Sequence, residues 1–89
     1  MAKFYAIHFT EGCRLPQLTP EQAAGLKQAI GEGMEKMPSV TFNGAMFNPD
    51  TGIAFADFDA TDLQTVEEFC KIINSPPYDK IVEVQPLEL

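Results

Sequence analysis

The chain has 89 residues, 45% of them hydrophobic, with thirteen acidic against six basic side chains and a net charge of -7. That length holds one hydrophobic core and leaves no room for a second domain, so residues 1–89 read as a single unit. The acidity opposes binding to nucleic-acid phosphates and anionic lipid surfaces, two cysteines cannot make a disulfide scaffold or a four-thiolate cluster and suit a reducing cytosol, and no apolar run approaches the ~18 residues that cross a bilayer; a cytoplasmic protein is expected.

In chain order, Lys3 to Thr10 is rich in aromatic and β-favouring residues and predicts strand one. A polar, proline-marked stretch from Glu11 to Leu18 follows, long enough for a lid but equally readable as a connection. Thr19-Pro20-Glu21-Gln22 then supplies an N-cap, a proline at the first helical position and a capping-box glutamine, so helix one starts there. Its apolar stripe is Ala23, Leu26, Ile30, Met34 and Met37, weakened by Gly25, Gly31 and Gly33 and ended by Pro38. Val40 to Phe47 and Ile53 to Asp59 read as strands two and three of a hairpin, because Asn48-Pro49-Asp50-Thr51-Gly52 between them is dense in turn formers. Thr61-Asp62-Leu63-Gln64 repeats the capping-box logic, and Leu63, Val66, Phe69, Cys70 and Ile73 form the buried stripe of helix two, stopped by Pro76-Pro77. Lys80 to Val84 is strand four.

This order specifies an α+β, ferredoxin-like βαββαβ domain: a four-stranded antiparallel sheet, order 4-1-3-2, with both helices on one face. Alternation assigns Tyr5, Ile7, Phe9, Ala54, Ala56, Phe58, Val82 and Val84 to the helices. The open face then carries Phe4, Ala6, His8, Ile53, Phe55, Asp57, Ile81 and Glu83, and strand two is ambiguous. With strand three taken as parallel to strand one and strand four as antiparallel to it, His8 falls between Asp57 and Glu83. A carboxylate can orient an imidazole for acid–base work, and all three groups ligate divalent metals; the alternative is a solvated sheet face with three polar side chains. Phe4, Ala6, Ile53, Phe55 and Ile81 on the same face are more apolar surface than a small monomer leaves in water. A second copy packed sheet to sheet would cover them and enclose a small-molecule cleft.

Element order, size, the Gly52-Ile53-Ala54-Phe55 strand and the Ile81-Val82-Glu83-Val84-Gln85-Pro86-Leu87 ending resemble the small dimeric α+β barrel proteins, among them antibiotic-biosynthesis monooxygenase-like and muconolactone isomerase-like members and many bacterial domains. The resemblance implies a homodimer with a ligand cleft between sheet and helices or between sheets, and fixes no reaction. Leu18-Thr19-Pro20-Glu21-Gln22 after a His-bearing strand is more loosely similar to small ferredoxin-like domains, some of which bind nickel. Thr51-Gly52-Ile53-Ala54-Phe55-Ala56-Asp57-Phe58 partly resembles the third strand of RNA-recognition motifs. There Thr51 stands in place of a basic residue, Ile53 in place of a stacking aromatic and Ala56 in place of a larger aliphatic, and the charge opposes RNA. Gly31-Glu32-Gly33 closes a helix and is no phosphate loop; Arg14 and Asn43 lack the glycine-rich loop of acylphosphatases. Cys13, in a loop beside Arg14, has no recognisable base.

Three readings stay open on this basis: a homodimeric binding module for a small ligand, a cofactor-independent isomerase or monooxygenase-like enzyme using His8 with Asp57 or Glu83, and a divalent-metal, nickel-type binder using the same three residues. No motif identifies a cofactor.

Overall fold

Each element starts where local chemistry stops the one before it. In the computed structural model, which spans residues 1–89, β1 (Ala2–His8) and a 3-10 turn (Glu11–Cys13) are followed by α1 (Pro20–Lys36), β2 (Thr41–Phe47), β3 (Ala54–Ala60), α2 (Leu63–Ile72) and β4 (Lys80–Val84). The capping box of α1 forms as expected: the Thr19 hydroxyl accepts from the Gln22 N–H, and the Gln22 side chain accepts from the Thr19 N–H. The cap of α2 lies one residue later than the sequence pattern suggests. Asp62, not Thr61, accepts from the Thr65 N–H at 2.8 Å and from its hydroxyl at 2.7 Å, a carboxylate being the better cap. In the β2–β3 turn the Asn48 side chain accepts from the Asp50 and Thr51 N–H groups. Gly52 closes that turn at φ +76°, where a Cβ would stand 2.9 Å from the Leu15 carbonyl oxygen. β1 ends at His8, two residues before its expected limit, because the Phe9 and Thr10 N–H groups turn to the Asp79 carboxylate.

The sheet order is β2-β3-β1-β4, the expected 4-1-3-2, and the topology is the ferredoxin-like α+β arrangement. Every neighbouring pair is antiparallel, including β1 with β3, which corrects the parallel orientation expected for that pair. No helix is long and apolar enough to cross a membrane.

Face assignment holds for β3 and reverses for β1 and β4. Directly opposed residues of a sheet share a face, and Phe4, Ala6 and His8 oppose Phe58, Ala56 and Ala54. Phe4, Ala6 and His8, each 4% exposed or less, therefore lie beneath the helices with the β3 alanines. Two physical terms select this phase. The alanines let helices approach the sheet closely, and the alternative phase would carry Lys3 toward the core along with Tyr5 and Ile7. β4 follows its neighbour: Ile81 and Glu83 oppose Ala6 and Phe4 on the helix side, while Val82 and Val84 lie on the open face beside Tyr5 and Lys3. Glu83 tolerates that side because β4 is an edge strand and leaves it exposed.

The core joins Phe4, Ala6, Phe58 and Ala60 of the sheet to Val66, Phe69, Cys70 and Ile73 on and just after α2, with Val40 sealing one end. Phe42, Phe58 and Phe69 form an edge-to-face series with centroids 5.5 and 5.7 Å apart. α2 buries Val66, Phe69 and Cys70, while Leu63, expected in the same buried stripe, is 43% exposed in the first turn; the 17-residue α1 buries only Gly33, the point at which it meets Phe69 and Ile73. Leu26, Ile30 and Met34 of α1 stay half-buried, facing a gap between the helix and the sheet.

Candidate functional site

His8 is the last residue of β1, and the strand's phase drives its ring under the helices. Its Nδ1 lies 2.5 Å from the Pro77 carbonyl oxygen. A carbonyl only accepts, so Nδ1 carries the proton and, in the neutral ring, Nε2 is left as an acceptor. Nε2 has no protein partner, yet no buried side-chain nitrogen is left unsatisfied, so Nε2 keeps access to solvent-sized space. The Tyr78 ring stands edge-on to the imidazole, centroids 6.4 Å apart.

The space beside His8 is an apolar cavity of about 60 Å³ between the sheet and the helices. Ala6, Ala54 and Ala56 form its floor, Leu26 and Ile30 of α1 its roof, and Leu15 stands at its edge. Leu26, Ile30 and Phe42 also line a wider groove of about 430 Å³ beside α1 and β2, so cavity and groove share these three side chains. The cavity lining includes no Lys, Arg, Asp or Glu. Cys70, on its wall, is pushed up to about 11 by desolvation and stays a thiol at neutral pH.

The segment that holds the imidazole also holds the cavity edge. Asp79, two residues after Pro77, accepts hydrogen bonds from the Phe9 N–H at 2.6 Å, the Thr10 N–H at 3.0 Å and the Thr10 hydroxyl. Partial desolvation raises its pKa, but the bonds from the Thr10 side chain, the Phe9 and Thr10 N–H groups and Cys13 outweigh this and hold the carboxyl down at about 2. The Leu15 N–H donates to the Gly52 carbonyl at 3.0 Å, fixing the other end of the loop.

The three residues expected to meet do not. Asp57 is on the open face, where its carboxylate accepts from Lys3 at 2.9 Å and from Asn43 at 3.3 Å. Glu83 is on the helix side of β4, opposed to Phe4 and exposed. His8 opposes Ala54 and takes a backbone carbonyl as its partner. No group of three or more His, Cys, Asp or Glu side chains converges on a point that would hold a metal ion. Of the five expected ligand-binding residues, Phe4, Ala6 and Ile81 lie on the helix side, and Ile53 and Phe55 lie toward the open face. Asp79, Pro77, Leu15 and the lining role of Leu26 and Ile30 escaped the sequence reading. The half-buried helical stripe of α1 was the one signal for the last two.

The open face divides along the strands. At one end Lys3 lies 2.9 Å from Asp57 and 3.6 Å from Asp59, and Asn43 donates to both carboxylates. The Asn43 hydrogen bond and then Lys3 hold Asp59 below its ordinary pKa, and the hydrogen bond to Asp57 raises Lys3. At the other end Tyr5 stacks on Phe55 with centroids 5.2 Å apart, flanked by Ile7 and Met46.

No family model matches the sequence, and no curated protein does. Among solved structures, the crystal structure of SCO4226 from Streptomyces coelicolor A3(2) is similar, with a TM-score of 0.72 and 24% identity over 99% of this chain and 100% of that one. Identity at that level speaks for the fold, and the fold is the ferredoxin-like α+β domain.

Proposed function

We propose that this chain is a small-molecule-binding domain whose ligand occupies the apolar cleft beneath α1, with His8 as its polar anchor. The observation that carries this reading is a 96% buried histidine whose Nδ1 is committed and whose Nε2 is free, set beside an apolar cavity. The expected cleft thus moves from the open face to the helix face, the sheet-and-helix alternative of the dimeric α+β barrel likeness. Acid–base work by His8 would rely on the Pro77 carbonyl as orienter, in place of Asp57 or Glu83. Titration with Nile red tests the site: enhanced emission is expected with the wild-type chain and its loss with Leu26→Gln, which places an amide in the roof. Wild-type emission equal to that of free dye, on a chain shown to be folded, refutes the reading.

A homodimer through the open face is the second part of the proposal. Met46 and Phe55 are 67% and 37% exposed there, beside Tyr5, Ile7 and Val82. The face is also self-complementary. Lys3 opposes Asp59, and Ile7 opposes Phe55, across the β1–β3 pair. A two-fold axis running along the strands between β1 and β3 therefore lays Lys3 over Asp59 of a second copy, and Ile7 over its Phe55. Sedimentation equilibrium is expected to give twice the chain mass, and a monomer at micromolar concentration refutes it.

A further inference from the structure

We infer that the cleft takes a neutral, slender apolar molecule ending in a hydroxyl, held by an O–H to Nε2 hydrogen bond at His8. The inference rests on the cleft being the binding site and adds the chemical class of what fills it.

Three observations fix that class. The first is the direction of the hydrogen bond. Because the Pro77 carbonyl commits Nδ1 as the donor, the neutral ring offers only an acceptor to the cavity, and a head group with an O–H satisfies it. Of the other polar side chains on the wall, the Ser75 hydroxyl already donates to the Pro76 carbonyl at 2.8 Å, and the Cys70 thiol is a weak hydrogen-bonding group.

The second observation is charge. The cavity lining has no Lys or Arg to receive a carboxylate and no Asp or Glu to receive an ammonium, and beside a neutral His8 either ion buried there would be uncompensated. The net charge of -7 further disfavours an anion. The one charged side chain along the groove, Lys27, is on an exposed part of α1.

The third is shape. The cavity of about 60 Å³ is well below the ~150 Å³ that accommodates a benzene ring. It admits a hydroxyl and a carbon or two, and the rest of the molecule must lie along the groove of about 430 Å³ under α1. Phe42, Leu26 and Ile30 line both compartments, and the path proposed for an extended hydrocarbon runs over these three apolar side chains.

The test displaces Nile red with four molecules of matched chain: 1-octanol, 1-fluorooctane, octanoate and octylammonium. Fluorine is close in size to a hydroxyl and cannot donate. The octanol is expected to bind about two- to tenfold more tightly than the fluoride, the range of one net neutral hydrogen bond, with both ions weaker than either. His8→Phe is expected to abolish the preference for octanol over the fluoride. His8 is the only histidine, so the ¹⁵N spectrum of the wild-type ring reads the same contact without mutation. Octanol is expected to move Nε2 and leave Nδ1 protonated, and this decides the matter if His8→Phe does not fold. Equal affinity for octanol and fluoride overturns the hydroxyl anchor and leaves cleft binding standing. Tightest binding by octanoate or octylammonium overturns neutrality. Failure of all four to displace a dye that does bind overturns the ligand class, whereas a dye that never binds overturns the cleft itself.

Discussion

Two glycines of α1, two positions apart, are expected to respond oppositely to the same substitution. A Cβ built on Gly31 meets nothing within 4 Å, so Gly31→Ala gains only helix propensity, about 1 kcal/mol of stabilisation. A Cβ on Gly33 would stand 2.7 Å from Ile73 Cγ2, 3.1 Å from Phe69 Cε1 and 3.3 Å from Phe69 Cζ. Carbon contacts settle at roughly 3.5–4.0 Å. Neither neighbour yields easily, since Phe69 is fully buried and Ile73 is β-branched and stiff at χ1. Overpacking of this kind costs about 1–3 kcal/mol, which exceeds or cancels the propensity gain and leaves Gly33→Ala neutral to about 2 kcal/mol destabilised. The two variants should differ by at least about 1 kcal/mol, or roughly 4–8 °C in Tm for a domain of this size. Urea and thermal unfolding followed by circular dichroism measure the gap. If Gly33→Ala is as stable as Gly31→Ala, α1 is free to back away from α2, and the account of Gly33 as its fixed point is wrong.

Phe69→Ala removes the fully buried centre of the core and should cost about 3–5 kcal/mol, read from the urea midpoint. Asp79→Asn tests the clasp at the end of β1. Its folded pKa of about 2 lies below the ordinary 3.8, so its contribution is present above about pH 4 and is lost as pH falls from there through about 2. The variant should be less stable at pH 7, lose less stability across that acid window, and exchange the amides of Phe9 and Thr10 faster; unchanged amide exchange counts against the clasp. Met46→Glu places a carboxylate on the apolar end of the open face and should shift the sedimentation mass to that of one chain with little effect on Nile red binding. A coupled loss of both would place ligand and interface on one face after all.

The parts of the fold written in neighbouring residues were readable. Thr19 with Gln22, the Asn48–Gly52 turn and the stripe of α2 all act over a few positions, and the strand order followed from the sequence of elements. The phase of β1 was not, because Phe4, Ala6 and His8 alternate with Tyr5, Ile7 and Phe9 and both sets are apolar enough to face a core. The choice is made by partners 46 to 58 positions away, the β3 alanines, and by Lys3 needing water. Reversing that phase moved His8 to the opposite side of the sheet from Asp57, so the imidazole met a backbone carbonyl in place of the expected carboxylate. Asp79 left no trace in any local pattern, since what it binds lies at the far end of the chain.

The contacts that set the imidazole and tie down the loop beside it join residues 69 and 70 positions apart. Both involve the short approach to β4, the last of the four strands in chain order. Until residues 77–84 are present the chain lacks both the carbonyl that holds Nδ1 and the carboxylate that tethers Phe9 and Thr10, so the imidazole and the loop after β1 reach their final geometry only when the approach to β4 docks, a late and long-range step of folding.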